Sequence, residues 1–280
     1  NIPKDDGVRQ LFIPDEPTDI LMSVDYKQLE VRVAAAISKD PVLIKEILAG
    51  VDMHSRNAAL LLLGVKEEDF IAIINDKHHK LHKKYAEARR AAKAVTFGVL
   101  YGSTAHGVAA REKIDLDICE AFISQFFKKY RVLASWIKTQ HQLVRQTSKV
   151  KTPVGRFIRF HDLEWANSKW CPDKMQMIRR GETERVSVNM PIQGMGSDVF
   201  QYHKIKVFKY LLKRKMNSRL VLSLHDGFVM NVKPNERKEL TDVVPGLMHK
   251  KLNEGTKFEV PLDVDIEFGK QWEGKDEEAS

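Results

Sequence analysis

Two short apolar runs in this chain lead into an aspartate. The first, Asp19-Ile-Leu-Met-Ser-Val-Asp25, ends on Asp25, and the second, Arg219-Leu-Val-Leu-Ser-Leu-His-Asp-Gly227, turns at Asp226. A carboxylate beside buried apolar residues is costly unless a partner or a cation accompanies it. If the two runs are neighbouring strands, the two carboxylates can share two Mg²⁺ ions, an arrangement suited to in-line phosphoryl or nucleotidyl transfer. The plain alternative is that each aspartate only begins a turn. A second set lies at Arg89, Lys93, Phe97 and Tyr101, spaced four apart and so forming one slowly drifting stripe along a helix. Two cations followed by two aromatics can hold a triphosphate at one end and stack a base at the other. Gly98 and Gly102 leave room for close approach by a backbone or a base. An amphipathic helix with core aromatics does not explain why the cations continue the stripe.

The elements that must position these groups follow from periodicity. The run ending at Asp25 reads as a buried strand, and the residues around Asp226 as two β-type runs joined by a His-Asp-Gly turn. Helical spacing covers residues 27–37, 41–49, 54–63, 67–74, 80–101 and 116–147, and the apolar run 58–63 reads as buried. A Pro/Gly-punctuated hairpin centres on residues 152–156, residues 162–181 are polar and loop-like, a helix covers 194–213, and a last strand covers 260–268. Strands at both ends with helices between them describe a β-sheet lobe carrying a helical lobe.

Composition bounds the function classes. The 280 residues are 43% hydrophobic and 30% charged, which is globular and excludes a disordered chain. Two cysteines, Cys119 and Cys171, without a CxxC pair exclude a disulfide scaffold or a thiolate zinc finger and fit a reducing compartment. No apolar run approaches the roughly 18 residues of a membrane span, and the first residues lack a signal-peptide core, so a cytoplasmic location is expected. Lys and Arg exceed Asp and Glu by eight, a bias towards polyanionic partners such as nucleic acid. The excess concentrates in residues 77–93, while residues 273–280 are acidic.

The motifs carry a resemblance. Asp25-Tyr-Lys-Gln-Leu-Glu-Val-Arg32, the stretch from Arg89 to Gly102, and Leu224-His-Asp-Gly227 resemble, in order, three motifs of family A DNA polymerases of the bacterial DNA polymerase I type. Asp52-Met-His54, Asn189-Met-Pro-Ile-Gln193 and the stretch from Val260 to Trp272 support it. The resemblance implies an α+β fold: a right-hand palm with an antiparallel sheet (residues 1–40 and 191–280) and a largely helical fingers insertion (residues 41–190). It implies template-directed addition of deoxynucleotides to a primer 3′ end. Asp25, Asp226 and the Tyr26 carbonyl would hold two Mg²⁺ ions, with Mn²⁺ a substitute. Arg89 and Lys93 would bind the triphosphate, and Lys93 would also protonate the leaving pyrophosphate. His54 and Gln28 would add phosphate or sugar contacts, Phe97 would pack on the nucleotide, and Tyr101 would sit against the templating position. Glu30 would block a ribose 2′-hydroxyl, and Arg185, Asn189, Gln193 and His225 would line the primer-template minor groove. Primer-template DNA and deoxynucleoside triphosphates are the expected partners.

Departures from the family's pattern bear on detail. Gly227 stands where an acid usually follows the second aspartate, Thr96 replaces a common Asn, and Lys27 a common Ser. The sequence opens at Asn1-Ile2-Pro3, inside a family motif that follows the thumb. The reading is therefore of palm and fingers with the thumb absent from this chain, supplied by a second polypeptide. Two other classes stay open: a non-catalytic nucleic-acid-binding module derived from a polymerase, made conceivable by Gly227 but opposed by the retention of Asp25, Asp226, Arg89 and Lys93, and a single-subunit RNA polymerase, opposed by Glu30. Weaker features have plainer readings. His78 and His82 have a zinc-like spacing, but the surrounding lysines repel a cation. Gly194-Met-Gly196 reads as a helix start packed closely on the sheet, and Trp136 and Trp165 as core or half-buried.

Overall fold

A computed structural model describes residues 7–166, 171–249 and 260–272. In chain order its elements begin β1 (Ile20–Tyr26), α1 (Leu29–Ser38), α2 (Pro41–Leu48), α3 (Met53–Asn57), α4 (Glu67–Asn75), α5 (His82–Leu100) and α6 (Ala105–Glu112). Then follow α7 (Leu116–Lys129), α8 (Arg131–Thr147), β2 (Lys149–Lys151), β3 (Phe157–Arg159), α9 (His161–Ala166) and α10 (Asp173–Arg214). The chain closes with β4 (Arg219–Ser223), β5 (Gly227–Val232), α11 (Arg237–His249) and β6 (Val264–Gly269). The residues form two compact units, 1–29 with 195–280, and 30–194. The sequence reading sets its boundaries at 40/41 and 190/191.

The first unit is an antiparallel sheet in the order β4-β5-β1-β6 with helices against it, so the α+β fold holds and strands from both ends of the chain build one sheet. Alternation along β1 sorts its side chains. Met22, Val24 and Tyr26 are buried on one face, where Phe228, paired with Val24, stacks on Phe200 of α10. On that side the Tyr26 hydroxyl donates to the Met248 carbonyl of α11 at 3.1 Å and lies 2.6 Å from His203 Nδ1. The other face carries Leu21, which packs with Val229 and Trp272.

The second unit is helical, and one buried carboxylate joins two of its helices. Asp40 Oδ1 accepts the Val42 and Leu43 amides at the start of α2, while Oδ2 accepts the Val132 and Leu133 amides at the start of α8. The negative charge faces two helix N-termini at once. Behind it, Tyr130 and Lys129 close on Glu46, which also pairs with Arg56.

Several sequence expectations change. Residues 116–147 are two helices, because Tyr130 leaves helical geometry (φ −102°, ψ 68°) and buries its ring while its hydroxyl bonds Glu46. The polar stretch 162–181 is largely helical, α9 and the start of α10, since surface helices with few apolar positions resemble loops in sequence. Gly194 and Gly196 lie well inside α10, not at a helix start, and Pro191 sits within the same helix. The helix after β1 starts at Leu29 because Gln28 occupies the left-handed region (φ 51°), and the last strand begins at Val264. In the apolar run 58–63, Ala58 and Ala59 are buried, but Leu60 is 47% exposed. Trp136 is half-buried as expected, whereas Trp165 is exposed. The acidic end, residues 273–280, and Asn1-Ile2-Pro3 lie outside the described residues. Among the described residues no helix is long and apolar enough to cross a membrane.

Asp40→Ala strips acceptors from two helix starts and is expected to cost about 2–3 kcal/mol, whereas Asp40→Asn keeps one acceptor and costs less. Urea unfolding of the two variants beside the parent chain checks the order.

Candidate active site

Strand pairing brings the two aspartates to adjacent positions. Asp25, near the end of β1, lies opposite Gly227 at the start of β5, and Asp226 is the residue just before Gly227. The turn is tight: the Leu224 amide donates to the Gly227 carbonyl at 2.8 Å, leaving His225 and Asp226 at the tip. The Tyr26 amide in turn donates to the Asp226 carbonyl at 3.3 Å. Gly227 is required by the approach. A Cβ built there would lie 2.5 Å from the Val24 carbonyl oxygen and 2.8 Å from Asp25 Oδ1. The Asp25 carboxylate thus lies over the position that carries an acid in the resembling motif, and the missing side chain gives it room. Pairing with β6 sets a third carboxylate, Asp265, opposite Asp25, and Lys27 neutralises it at 2.7 Å. Nothing in the sequence spacing pointed to Asp265, because β6 lies 240 residues downstream in register.

The second unit holds the cation–aromatic stripe on α5. Asp52 caps α3 through the His54 and Ser55 amides, and its Oδ2 also accepts Arg89 Nε (3.0 Å) and Nη2 (2.8 Å). Ser55 Oγ accepts Arg89 Nε as well, at 3.0 Å. Burial opposes ionisation of Asp52, but Ser55 and the Arg89 guanidinium outweigh it and hold the carboxyl below its ordinary value. Lys93 is exposed, its Nζ 5.8 Å from the Phe97 ring centre. Phe97 stacks on Tyr101 at 6.0 Å, and the Tyr101 hydroxyl donates to Glu30 Oε1 at 3.1 Å. The resemblance gives Glu30 and Tyr101 separate roles, whereas the two side chains are bonded to each other.

His54 is buried against Phe97, its ring centre 5.5 Å away, and neither ring nitrogen has a hydrogen-bond partner. Burial, aided by the Lys93 and Arg89 charges and opposed by Asp52, depresses its pKa to about 4. It is therefore a neutral imidazole at pH 7. Thr96 is also buried, its hydroxyl unpartnered. Gly102 (φ 70°) lets the end of α5 meet α10: a Cβ there would lie 2.4 Å from the Arg185 carbonyl oxygen. Arg185, Asn189 and Gln193 are half-buried on α10, and a buried Asn189 Oδ1 has no partner. His225 is exposed at the turn tip and Gln28 half-buried. His78 lies in a turn and His82 begins α5, so the zinc-like spacing is not on one helix.

The family model for DNA polymerase family A matches residues 1–274. The chain belongs to DNA polymerase family A. Within that family it is 30% identical to DNA polymerase I of Caldicellulosiruptor bescii over 97% of this chain, covering 29% of that protein. It is 32% identical to DNA polymerase I of Lactococcus lactis subsp. cremoris over 95% of this chain, covering 27% of that protein. The chain spans less than a third of the length of these curated relatives. A solved structure, the POL domain of Pol1 from M. smegmatis in complex with DNA primer-template and dNTP, superposes with a TM-score of 0.77 at 27% identity. That match covers 97% of this chain and 44% of the other.

Two outcomes follow for this family A site. Gly227→Ala must push the Asp25 carboxylate and the β1 backbone apart, and is expected to destabilise the fold by about 1–3 kcal/mol; thermal unfolding reads it. His54 binds a proton more readily unfolded than folded, so its stabilising contribution is full above about pH 6.5 and is lost as pH falls towards 4. The stability advantage of the parent over His54→Gln should therefore shrink by up to about 3 kcal/mol across that window, as measured by urea unfolding at a series of pH values.

Proposed function

We propose that this chain carries out template-directed addition of deoxynucleotides to a primer 3′ end. The observation that carries the reading is the Asp25–Gly227 pairing, which sets Asp25 and Asp226 at adjacent positions of neighbouring strands. Two carboxylates suit Mg²⁺, which takes one or two protein carboxylates and completes its shell with water and substrate phosphates. Asp25, Asp226 and the Tyr26 carbonyl would hold two Mg²⁺ ions, with Mn²⁺ a substitute. When bound, these ions lower the charge on the attacking and leaving oxygens.

The chain's own groups supply binding, orientation and a proton. The primer 3′-oxygen bonds to the α-phosphorus as the bond from that phosphorus to the pyrophosphate oxygen breaks. The hydroxyl proton leaves to water, and Lys93 gives a proton to pyrophosphate. Asp52 and Ser55 hold the Nε edge of Arg89, and the guanidinium so ordered would bind the triphosphate. Phe97 packs on the sugar and base, and Tyr101 sits against the templating position. The bond from Tyr101 fixes Glu30, which excludes a 2′-hydroxyl by occupying its space. His54 backs the Phe97 ring as a neutral imidazole, while Gln28 adds a sugar-side contact. Arg185, Asn189, Gln193 and His225 read the shape of the primer-template minor groove.

Asp25→Asn and Asp226→Asn are each expected to lower primer extension at least roughly 100-fold, about 2.7 kcal/mol of barrier, while DNA binding survives. Extension at the parent rate by either variant contradicts the assignment. Glu30→Ala is expected to lower the ratio of kcat/KM for dNTP over rNTP; an unchanged ratio removes Glu30 from the site.

A further inference from the structure

The β2–β3 hairpin offers a surface that none of the residues assigned above uses. Its register sets Lys149 opposite Arg159, Val150 opposite Ile158 and Lys151 opposite Phe157. Alternation then divides the hairpin. Val150 and Ile158 point inward to a core cluster with Val144, Leu163 and Cys171, while Lys149, Lys151, Phe157 and Arg159 point outward. The inward face and the turn make the platform rigid. The Thr152 amide donates to the Arg156 carbonyl at 2.8 Å, Thr152 Oγ1 accepts the Arg156 amide at 3.1 Å, and Arg156 Nη2 reaches the Gly194 carbonyl at 3.0 Å.

On the outer face Phe157 is 58% exposed. Lys149 Nζ and Lys151 Nζ lie 5.6 Å and 5.2 Å from its centre. From Lys149 to Phe160 the chain has four cations and no acid. The nearest acids along the chain, Asp162 and Glu164, are engaged by Arg179 and His161. An exposed ring framed by cations matches the two demands of an unpaired nucleotide, a face on which the base stacks and positive charge for the phosphates. Duplex DNA meets only the second, because its bases already stack on one another.

We propose that the outer face of this hairpin binds single-stranded DNA, with a base stacked on Phe157 and flanking phosphates on Lys149, Lys151 and Arg159. The proposal rests on no step of the polymerase reaction, since binding is measured without nucleotide or extension. A fluorescent oligothymidylate of about 12 nucleotides, titrated by anisotropy, is the probe. Phe157→Ala is expected to weaken binding roughly 5- to 150-fold, the value of one stacked base, and Phe157→Tyr to restore it. Lys149→Gln with Lys151→Gln is expected to reduce the slope of log affinity against log salt by about 0.7 per lost phosphate contact. The same oligonucleotide carrying one 5-iodouracil should cross-link to the peptide containing Phe157 on irradiation. Because Phe157 is exposed, thermal unfolding of its variants should match the parent. Parent-like binding by Phe157→Ala, a cross-link only to other peptides, or equal competition by a polyglutamate of the same charge overturns the proposal.

Discussion

β1 is hydrogen-bonded on both sides, and its register determines what the sheet presents. Because side chains alternate, a slip of one residue would turn Asp25 inward and Val24 out. The register is held from the buried face. Met22 and Val24 are fully buried, and the Tyr26 hydroxyl sits between α10 and α11 on His203 and the Met248 carbonyl. Burial pushes the Tyr26 phenol well above its usual range, so it stays a neutral donor at every working pH. With that face anchored, Asp25 can only point the other way. Gly227 then lets its carboxylate lie across β5 towards the turn that carries Asp226.

The helical unit uses carboxylates differently. Asp40 and Asp52 both accept amides at helix starts, and each has a second duty: Asp40 joins α2 to α8, and Asp52 orients Arg89. A guanidinium held along its Nε edge is already ordered when an anion arrives, so less side-chain entropy is lost on binding. The stripe on α5 is thus a supported set rather than four independent side chains. His54 lies under Phe97, Glu30 is bonded to Tyr101, and the Arg185 backbone packs against Gly102.

Much of this was legible in the sequence because the signals are local. The four-residue spacing from Arg89 to Tyr101 specifies one helical stripe, and an apolar run closed by Asp25 specifies a strand end. The His-Asp-Gly turn is a two-residue hairpin tip, and hydrogen bonding there needs no distant information. What escaped the sequence is long-range or depends on surroundings. Asp265 reaches Asp25 only through strand pairing. The break at Tyr130 arises from the Glu46 contact, 84 positions away. The length of α10 is hidden by Pro191 and by a polar first half, so its N-terminal turns resemble a loop. Gly227 read as a loss of an acid because a sequence shows the residue present but not the backbone 2.5 Å from its missing Cβ.

In the proposed reaction Asp25 and Asp226 together hold divalent cations with the triphosphate. Electron paramagnetic resonance titration of Mn²⁺ with deoxynucleoside triphosphate and primer-template tests it without turnover when the primer lacks a 3′-hydroxyl. Two chain-dependent Mn²⁺ ions are expected with the parent protein, and loss of that pair in Asp226→Asn. The same Mn²⁺ stoichiometry and affinity in Asp25→Asn, Asp226→Asn and the parent would contradict it.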